Sequence, residues 1–505
     1  MTGDAPAWYV SSAIEALATH KGKIALSYRG HDLGYSELLA DVYRTARALR
    51  RSGLRRGDGL ALVAGNRPEA FVIRFAAFLL GLRFTPVVPG LTDPRYVAED
   101  SGAAALICAA PVDVDVPLVL TLDDVSAAAR TEPDDPLPVA AQEQDIARVL
   151  YTSGTTGRPK GVPSSYAALG ASTRSWGSGT AEMPEGMRFL LVTPFAHGSG
   201  DAAMNMLRFG VTVEIFDGFD TTEFVAAVQR SPMAMSFLYP SWLYRLLDHA
   251  DADLSALRLL SYGSSPIAPA RLRQALERFG PILVQTYAST EAAAIAMLDA
   301  ADHAVAMDDR PELLASVGRP LPGIAVELRA EDGTPVPTGE VGEVCVKGAS
   351  VMPGYWNRPE LTAAALRDGW LHTGDLGRFD ADGYLYLVGR IKDIIIVNGY
   401  NHYAGPIEDA LTSHPAVREA AVVGSPDDRT GEAIHAFVVA RAIDAEQLRA
   451  WAQERLTADA LPATFTFLDT IPTTPQGKPD KKALREQATR LHSAGERADR
   501  RGQPR

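Results

Sequence analysis

Between residues 24 and 290, short apolar runs alternate with amphipathic ones. Gly59 to Ala64, Ala104 to Cys108, Arg148 to Thr152, Phe189 to Thr193, Val211 to Phe216, Leu257 to Ser261 and Ile282 to Tyr287 read as strands. Helical patterns separate most of them, such as Pro68 to Leu80, with Asn66 as its expected cap, and Ala268 to Phe279. Parallel neighbours need long crossovers, usually helices, so this rhythm predicts α/β layers with mainly parallel strands. No fixed-period repeat is present. Near residue 316 the texture changes to period-two strands, Ile324 to Arg329, Glu340 to Lys347 and Tyr384 to Val388, with Gly/Pro/Asp turns between them. After Gly389, short strands and helices alternate again.

A chain of 505 residues is too long for one core. The expected fold class is α/β: a large multi-layer N-terminal domain over 1–390, β-rich over about 316–389, plus a small α+β C-terminal domain over 391–490. The stretch 491–505 is polar and Arg-rich without an apolar period, which predicts a disordered tail. The net charge of −13 argues against a nucleic-acid partner. Cys108 and Cys345 have neither a disulfide framework nor metal-ligand spacing, which fits a reducing cytoplasm. Cys345 sits in an alternating run and reads as packed rather than reactive. The first residues lack a basic region followed by an apolar core, so no signal peptide is expected. Phe75 to Val88 is apolar but broken by Gly81, Arg83 and Pro86, so it reads as a buried helix and strand, not a membrane span.

The chemistry begins at Tyr151-Thr152-Ser153-Gly154-Thr155-Thr156-Gly157-Arg158-Pro159-Lys160-Gly161. Glycines let backbone N–H groups approach an anion, Ser153, Thr155 and Thr156 add hydroxyl donors, and Lys160 adds a positive charge. Together they suit a polyphosphate. The spacing is not that of a P-loop. The ordered string resembles the phosphate loop of the adenylate-forming enzymes: acyl- and aryl-CoA ligases, non-ribosomal adenylation domains, luciferases and amide bond synthetases.

Five further strings match that family in its order, and the resemblance covers nearly the whole chain. Tyr262-Gly263-Ser264-Ser265 resembles the adenine-side turn. Tyr287-Ala288-Ser289-Thr290-Glu291 resembles the Tyr-Gly-x-Thr-Glu motif, with Ala288 in place of glycine. It implies Tyr287 against adenine, Thr290 and Glu291 as catalytic residues, and Glu291 as the Mg²⁺ ligand, since magnesium favours a carboxylate plus phosphates. Thr373-Gly374-Asp375 implies ribose binding by Asp375, Gly389-Arg390-Ile391-Lys392-Asp393 implies a ribose contact from Arg390 and a pivot at Lys392, and Pro472 to Lys478 implies Lys478 as the catalytic cation of a mobile C-terminal domain. A cation between two reacting anions stabilises their encounter.

Pro194-Phe195-Ala196-His197-Gly198-Ser199-Gly200 resembles the acid-pocket element, so Phe195 and His197 are expected to border the acid. Asp201 follows: either a helix-start carboxylate facing solvent or the dipole, or an acceptor for an N–H of the acid or amine. The loop Gly399 to Glu408 departs from CoA-using relatives at His402, Ala404 and Pro406. His402 is a candidate acceptor base. The resemblance implies ATP, Mg²⁺, a carboxylic acid and a thiol or amine acceptor. CoA is the leading co-substrate, an amine or carrier-protein thiol the alternative, and an inactive nucleotide-binding homologue a further one.

Overall fold

The computed structural model describes residues 5–88, 92–110, 112–152, 158–176, 183–249, 252–427, 429–474 and 478–502. Among the described residues the strands form four sheets. A nine-stranded sheet runs Arg319–Pro320, Ala293–Leu298, Leu283–Ser289, Leu257–Gly263, Met233–Leu238, Met187–Leu191, Thr212–Ile215, Ile24–Tyr28, His31–Gly34. Its interior is parallel; antiparallel strands close both ends. A six-stranded sheet runs Leu118–Thr121, Ala103–Cys108, Gly59–Val63, Arg83–Pro86, Ile146–Thr152, Lys160–Ser165, parallel except for its last pair. The expected alternation of strand and helix thus becomes two layered sheets.

The helix Pro68–Leu79 lies in the largest core, where Phe71, Phe75 and Phe78 are buried. Proline at its start suits the first turn, where no intrahelical N–H is needed. Asn66 is not its cap, because Arg67 occupies that position. Asn66 instead donates its side-chain amide to the carbonyls of Thr193 and Phe216, and its Oδ1 accepts the N–H of Phe195 at 2.7 Å. Long-range backbone groups outbid the local cap.

The β-rich region forms its own sheet: Ile324–Arg329, Gly342–Gly348, Trp370–Phe379 and Leu366–Arg367 in order, with Leu385–Arg390 also paired to Trp370–Phe379. The next strand, Ile395–Val397, belongs to a different sheet with Tyr400–His402, Gly431–Ala440, Val417–Asp427 and Thr464–Phe467. That small C-terminal domain has its own core, including Ile407, Ala436, Val438 and Leu448. Arg418 pairs with Asp248 and joins it to the large domain.

A helix runs from Lys481 to Gly502. Leu484 and Ala488 anchor it by burial. Among the described residues no helix is long and apolar enough to cross a membrane.

Candidate active site

Three site segments leave the carboxyl ends of strands in the nine-stranded sheet, where α/β sheets hold ligands. Met187–Leu191 leads to Pro194–Gly198, Leu257–Gly263 ends at Ser264 and Ser265, and Leu283–Ser289 turns through Thr290 and Glu291 into Ala293–Leu298. Gly263 is required by closeness: a Cβ there would stand 2.6 Å from the Thr286 carbonyl oxygen. Ser264 has a left-handed φ of 71°, which a non-glycine residue adopts only under constraint. Ala288 is exposed, beside a register shift in its hairpin.

The fourth segment ends Ile146–Thr152 of the other sheet. Thr152 pairs in register with Lys160, whose Nζ lies 4.3 Å from the centre of the Tyr355 ring. Ser153, Gly154, Thr155, Thr156 and Gly157 lie outside the described residues, as do Pro475, Gln476 and Gly477.

Asp375 sits where Trp370–Phe379 shifts register against Gly342–Gly348. Glu343 holds this irregularity by accepting the Gly374 N–H at 3.0 Å and approaching His372 Nδ1 at 2.6 Å. Asp375 is buried. Its two oxygens accept from Tyr287 Oη and Arg390 Nε, each at 2.7 Å. The bond to Asp375 fixes the Tyr287 ring, and burial followed by the Asp375 charge pushes its phenol far up. Nearby Cys345 is packed, its thiol pushed up to about 12 by burial and by Glu343.

Glu291 uses Oε1 to accept from Tyr355 Oη at 2.9 Å. No hydrogen bond to its Oε2 occurs among the described residues, and the side chain is only partly buried. A partly buried carboxylate with one hard oxygen left over fits a magnesium ion that takes its other ligands from phosphate and water.

Lys478 reaches this cleft from the C-terminal domain. Its side chain is exposed, yet protein surrounds it closely enough for desolvation to hold its ammonium below the usual lysine range, with Arg390 acting in the same direction. Asp375 and Glu291 oppose that shift. His197 lies within electrostatic reach of Lys478, and burial together with that cation lowers its imidazole to about 4. His197 is therefore neutral at pH 7, with Nε2 buried and without a hydrogen-bond partner among the described residues. The structure thus gathers Glu291, Asp375, Arg390, Lys478 and His197.

The sign of a stability effect follows. Between about pH 6.5 and about 4 the unfolded chain protonates this histidine and the folded chain does not, so this group makes stability fall as pH drops through that window. Denaturant melts across pH 4–7 should show that slope reduced in His197→Gln. An unchanged slope contradicts the neutral, buried assignment.

Phe195 is only 3% exposed, and its ring lies tilted against Phe71 with centroids 4.4 Å apart. Asp201 is a helix-start carboxylate, in the first turn of Gly198–Leu207, but it is not a free acceptor. Its Oδ1 takes Arg74 Nη2 and its Oδ2 takes Arg148 Nη1. Burial opposes its charge, but Arg148 and Arg74 outweigh that and hold the carboxyl below its usual range. His402 is buried in the Tyr400–His402 strand opposite Ile395, and no hydrogen bond links it to the acid-pocket segment among the described residues. Lys392 lies in the short turn Ile391–Asp393 between the two sheets.

Sequence reasoning missed Tyr355, Asn66, Arg74 and Arg148. Their partners lie more than 50 residues away, so no local pattern announces them.

Residues 14–356 match the AMP-binding enzyme family, and 406–478 match the AMP-binding enzyme C-terminal domain. The chain is 36% identical over 516 residues to a medium/long-chain-fatty-acid–CoA ligase of Mycobacterium tuberculosis, covering 94% of this chain and 88% of that protein. Its fold is similar to the amide bond synthetase McbA of Marinactinospora thermotolerans, with TM-score 0.85, 36% identity and coverage of 95% and 100%. It is also similar to ATP-bound MatB of Rhodopseudomonas palustris, with TM-score 0.84, 27% identity and coverage of 95% and 99%.

Proposed function

The chain belongs to the AMP-binding enzyme family, and from that premise we propose that it activates a carboxylic acid with ATP and passes the acyl group to CoA. The acid's oxygen attacks the α-phosphorus, the bond to the pyrophosphate leaving group breaks, and acyl-AMP forms. CoA's sulfur then attacks the acyl carbon and AMP leaves. The observation that carries this reading is Lys478, supplied by the small domain into the cleft that already holds Glu291, Asp375 and His197.

Each side chain has a role in this reading. Thr152 and Lys160, with Ser153 to Gly157, cradle the phosphates. Gly263, Ser264, Ser265 and Tyr287 enclose the adenine, while Asp375 and Arg390 hold the ribose. Glu291 would hold Mg²⁺, with Thr290 beside it. When bound, the metal neutralises polyphosphate charge. Lys478 brings the two anions together and offsets charge developing between them. Neutral His197 borders the acid without adding a cation, and exposed Ala288 leaves room beside it. The domain limits in this proposal are 1–390 and 391–490, with Lys392 as the pivot, and the reaction is cytoplasmic.

An amine acceptor is the second reading. It is favoured by the departures at His402, Ala404 and Pro406 and by the similarity to an amide bond synthetase. A carrier-protein thiol would follow the same chemistry.

The test supplies ATP, Mg²⁺ and a panel of aryl, heteroaryl and fatty acids, with either CoA or a simple amine. Mass spectrometry should find AMP, pyrophosphate and acyl-CoA. Amide above uncatalysed aminolysis, with no thioester, selects the second reading. ATP binding without pyrophosphate release for any acid selects the inactive homologue.

A further inference from the structure

The polyphosphate cleft contains opposite charges that should attract one another. Lys160 begins the strand Lys160–Ser165, and Glu291 sits in the turn after Leu283–Ser289. Left to themselves, a flexible ammonium and a half-buried carboxylate would pair and neutralise the place a phosphate and its metal need. Among the described residues no ion pair joins them. Tyr355 touches both: its ring face takes the Lys160 ammonium at 4.3 Å, and its hydroxyl donates to Glu291 Oε1 at 2.9 Å.

The backbone around Tyr355 is tied to the same two places. The Met352 N–H donates to the Glu291 carbonyl at 2.7 Å, and the Trp356 N–H donates to the Gly161 carbonyl at 2.9 Å. The Tyr355 N–H is held by Thr362 Oγ1 at 2.9 Å. Gly161 lets this strap approach: a Cβ there would lie 3.0 Å from Trp356 Cβ and 2.8 Å from Val149 Cγ1. The segment 352–356 therefore bridges the phosphate-side strand and the carboxylate turn, with one aromatic side chain between their charges.

We propose that Tyr355 is a positioning residue that keeps Lys160 and Glu291 from pairing, so that the cleft retains a cation for phosphate and a carboxylate for the metal. The inference rests on the nucleotide site proposed above. An aromatic face can attract the ammonium without consuming its charge. A phenol can occupy one carboxylate oxygen and leave the other available.

The test is equilibrium binding of ATP by calorimetry, in EDTA and in Mg²⁺, on the full chain. Tyr355→Phe keeps the ring and loses the hydroxyl. Metal-free ATP affinity should stay within about twofold, while the gain from Mg²⁺ falls by about tenfold, the scale of one hydrogen bond to a charged group. Tyr355→Leu removes the spacer, and metal-free affinity should fall by about tenfold as Lys160 turns to Glu291. Adding Glu291→Gln to Tyr355→Leu should restore most of that metal-free affinity, because the competing charge is gone. A merely structural tyrosine would give no such rescue. Absence of rescue, or a Tyr355→Phe variant with unchanged Mg²⁺ gain, overturns the inference. Wild-type chain that binds no ATP overturns the nucleotide site itself, which is a separate result.

Discussion

Lys478→Ala lowers acid-dependent ATP–pyrophosphate exchange by about 10²–10³, the range seen when one preorganised charge-stabilising group is removed from a reacting centre. Capture of supplied acyl-AMP by the acceptor stays within about threefold, because the first barrier alone brings two anions together. The geometry supports this split. Lys478 comes from the small domain and lies within electrostatic reach of Glu291, Asp375, Arg390 and His197 of the large one. Desolvation and Arg390 lower its affinity for a proton, and Asp375 and Glu291 work against that shift. Stopped assays of each half-reaction, with thermal melts as a folding control, decide the matter. Equal loss in both half-reactions contradicts it.

Asp201→Ala destabilises the folded chain by about 3–5 kcal/mol, because it strands two buried guanidiniums rather than merely removing a contact. Arg74 and Arg148 have side chains 2% and 7% exposed, and Asp201 is their common carboxylate. Arg74 is further enclosed by the rings of Phe78, Phe84 and Phe195, with its guanidinium carbon 5.2–5.6 Å from their centres. Those rings soften the charge but accept no hydrogen bonds in the manner of a carboxylate. A loss of this size is a large part of the stability of an ordinary domain. Urea midpoints measured with and without the substitution give the value. A change under about 1 kcal/mol would mean that water reaches the arginines and that the cluster is not a buried ion network.

What could be read in the sequence follows from how locally each feature is encoded. Glu291 and Asp375 stand out because each falls in a short string, Glu291 in the turn after Leu283–Ser289 and Asp375 at a register shift within Trp370–Phe379. Arg390 and Lys392 share one string at the junction of two sheets. The α/β layering and the β-rich region are legible from apolar period alone. Asn66, Arg74, Arg148 and Tyr355 are not legible, since each acts on residues far along the chain. Asn66 looks like a helix cap because its neighbours are a helix start, yet its amide serves Thr193, Phe195 and Phe216. Asp201 shows the same limit from the other side: an isolated carboxylate in a motif looks available, and only the packed helix and strand reveal that two arginines already occupy it.

Arg390 is the last residue of its strand, its Nε holds Asp375, and the chain enters the other sheet just beyond it. One side chain thus belongs both to the carboxylate proposed for ribose and to the link between domains. Thermodynamic reciprocity then applies: whatever free energy a nucleotide spends in biasing the orientation of the small domain, that orientation returns as a change in nucleotide affinity of the same size. Retention of a reaction intermediate and movement of a domain are in that sense one equilibrium observed at its two ends.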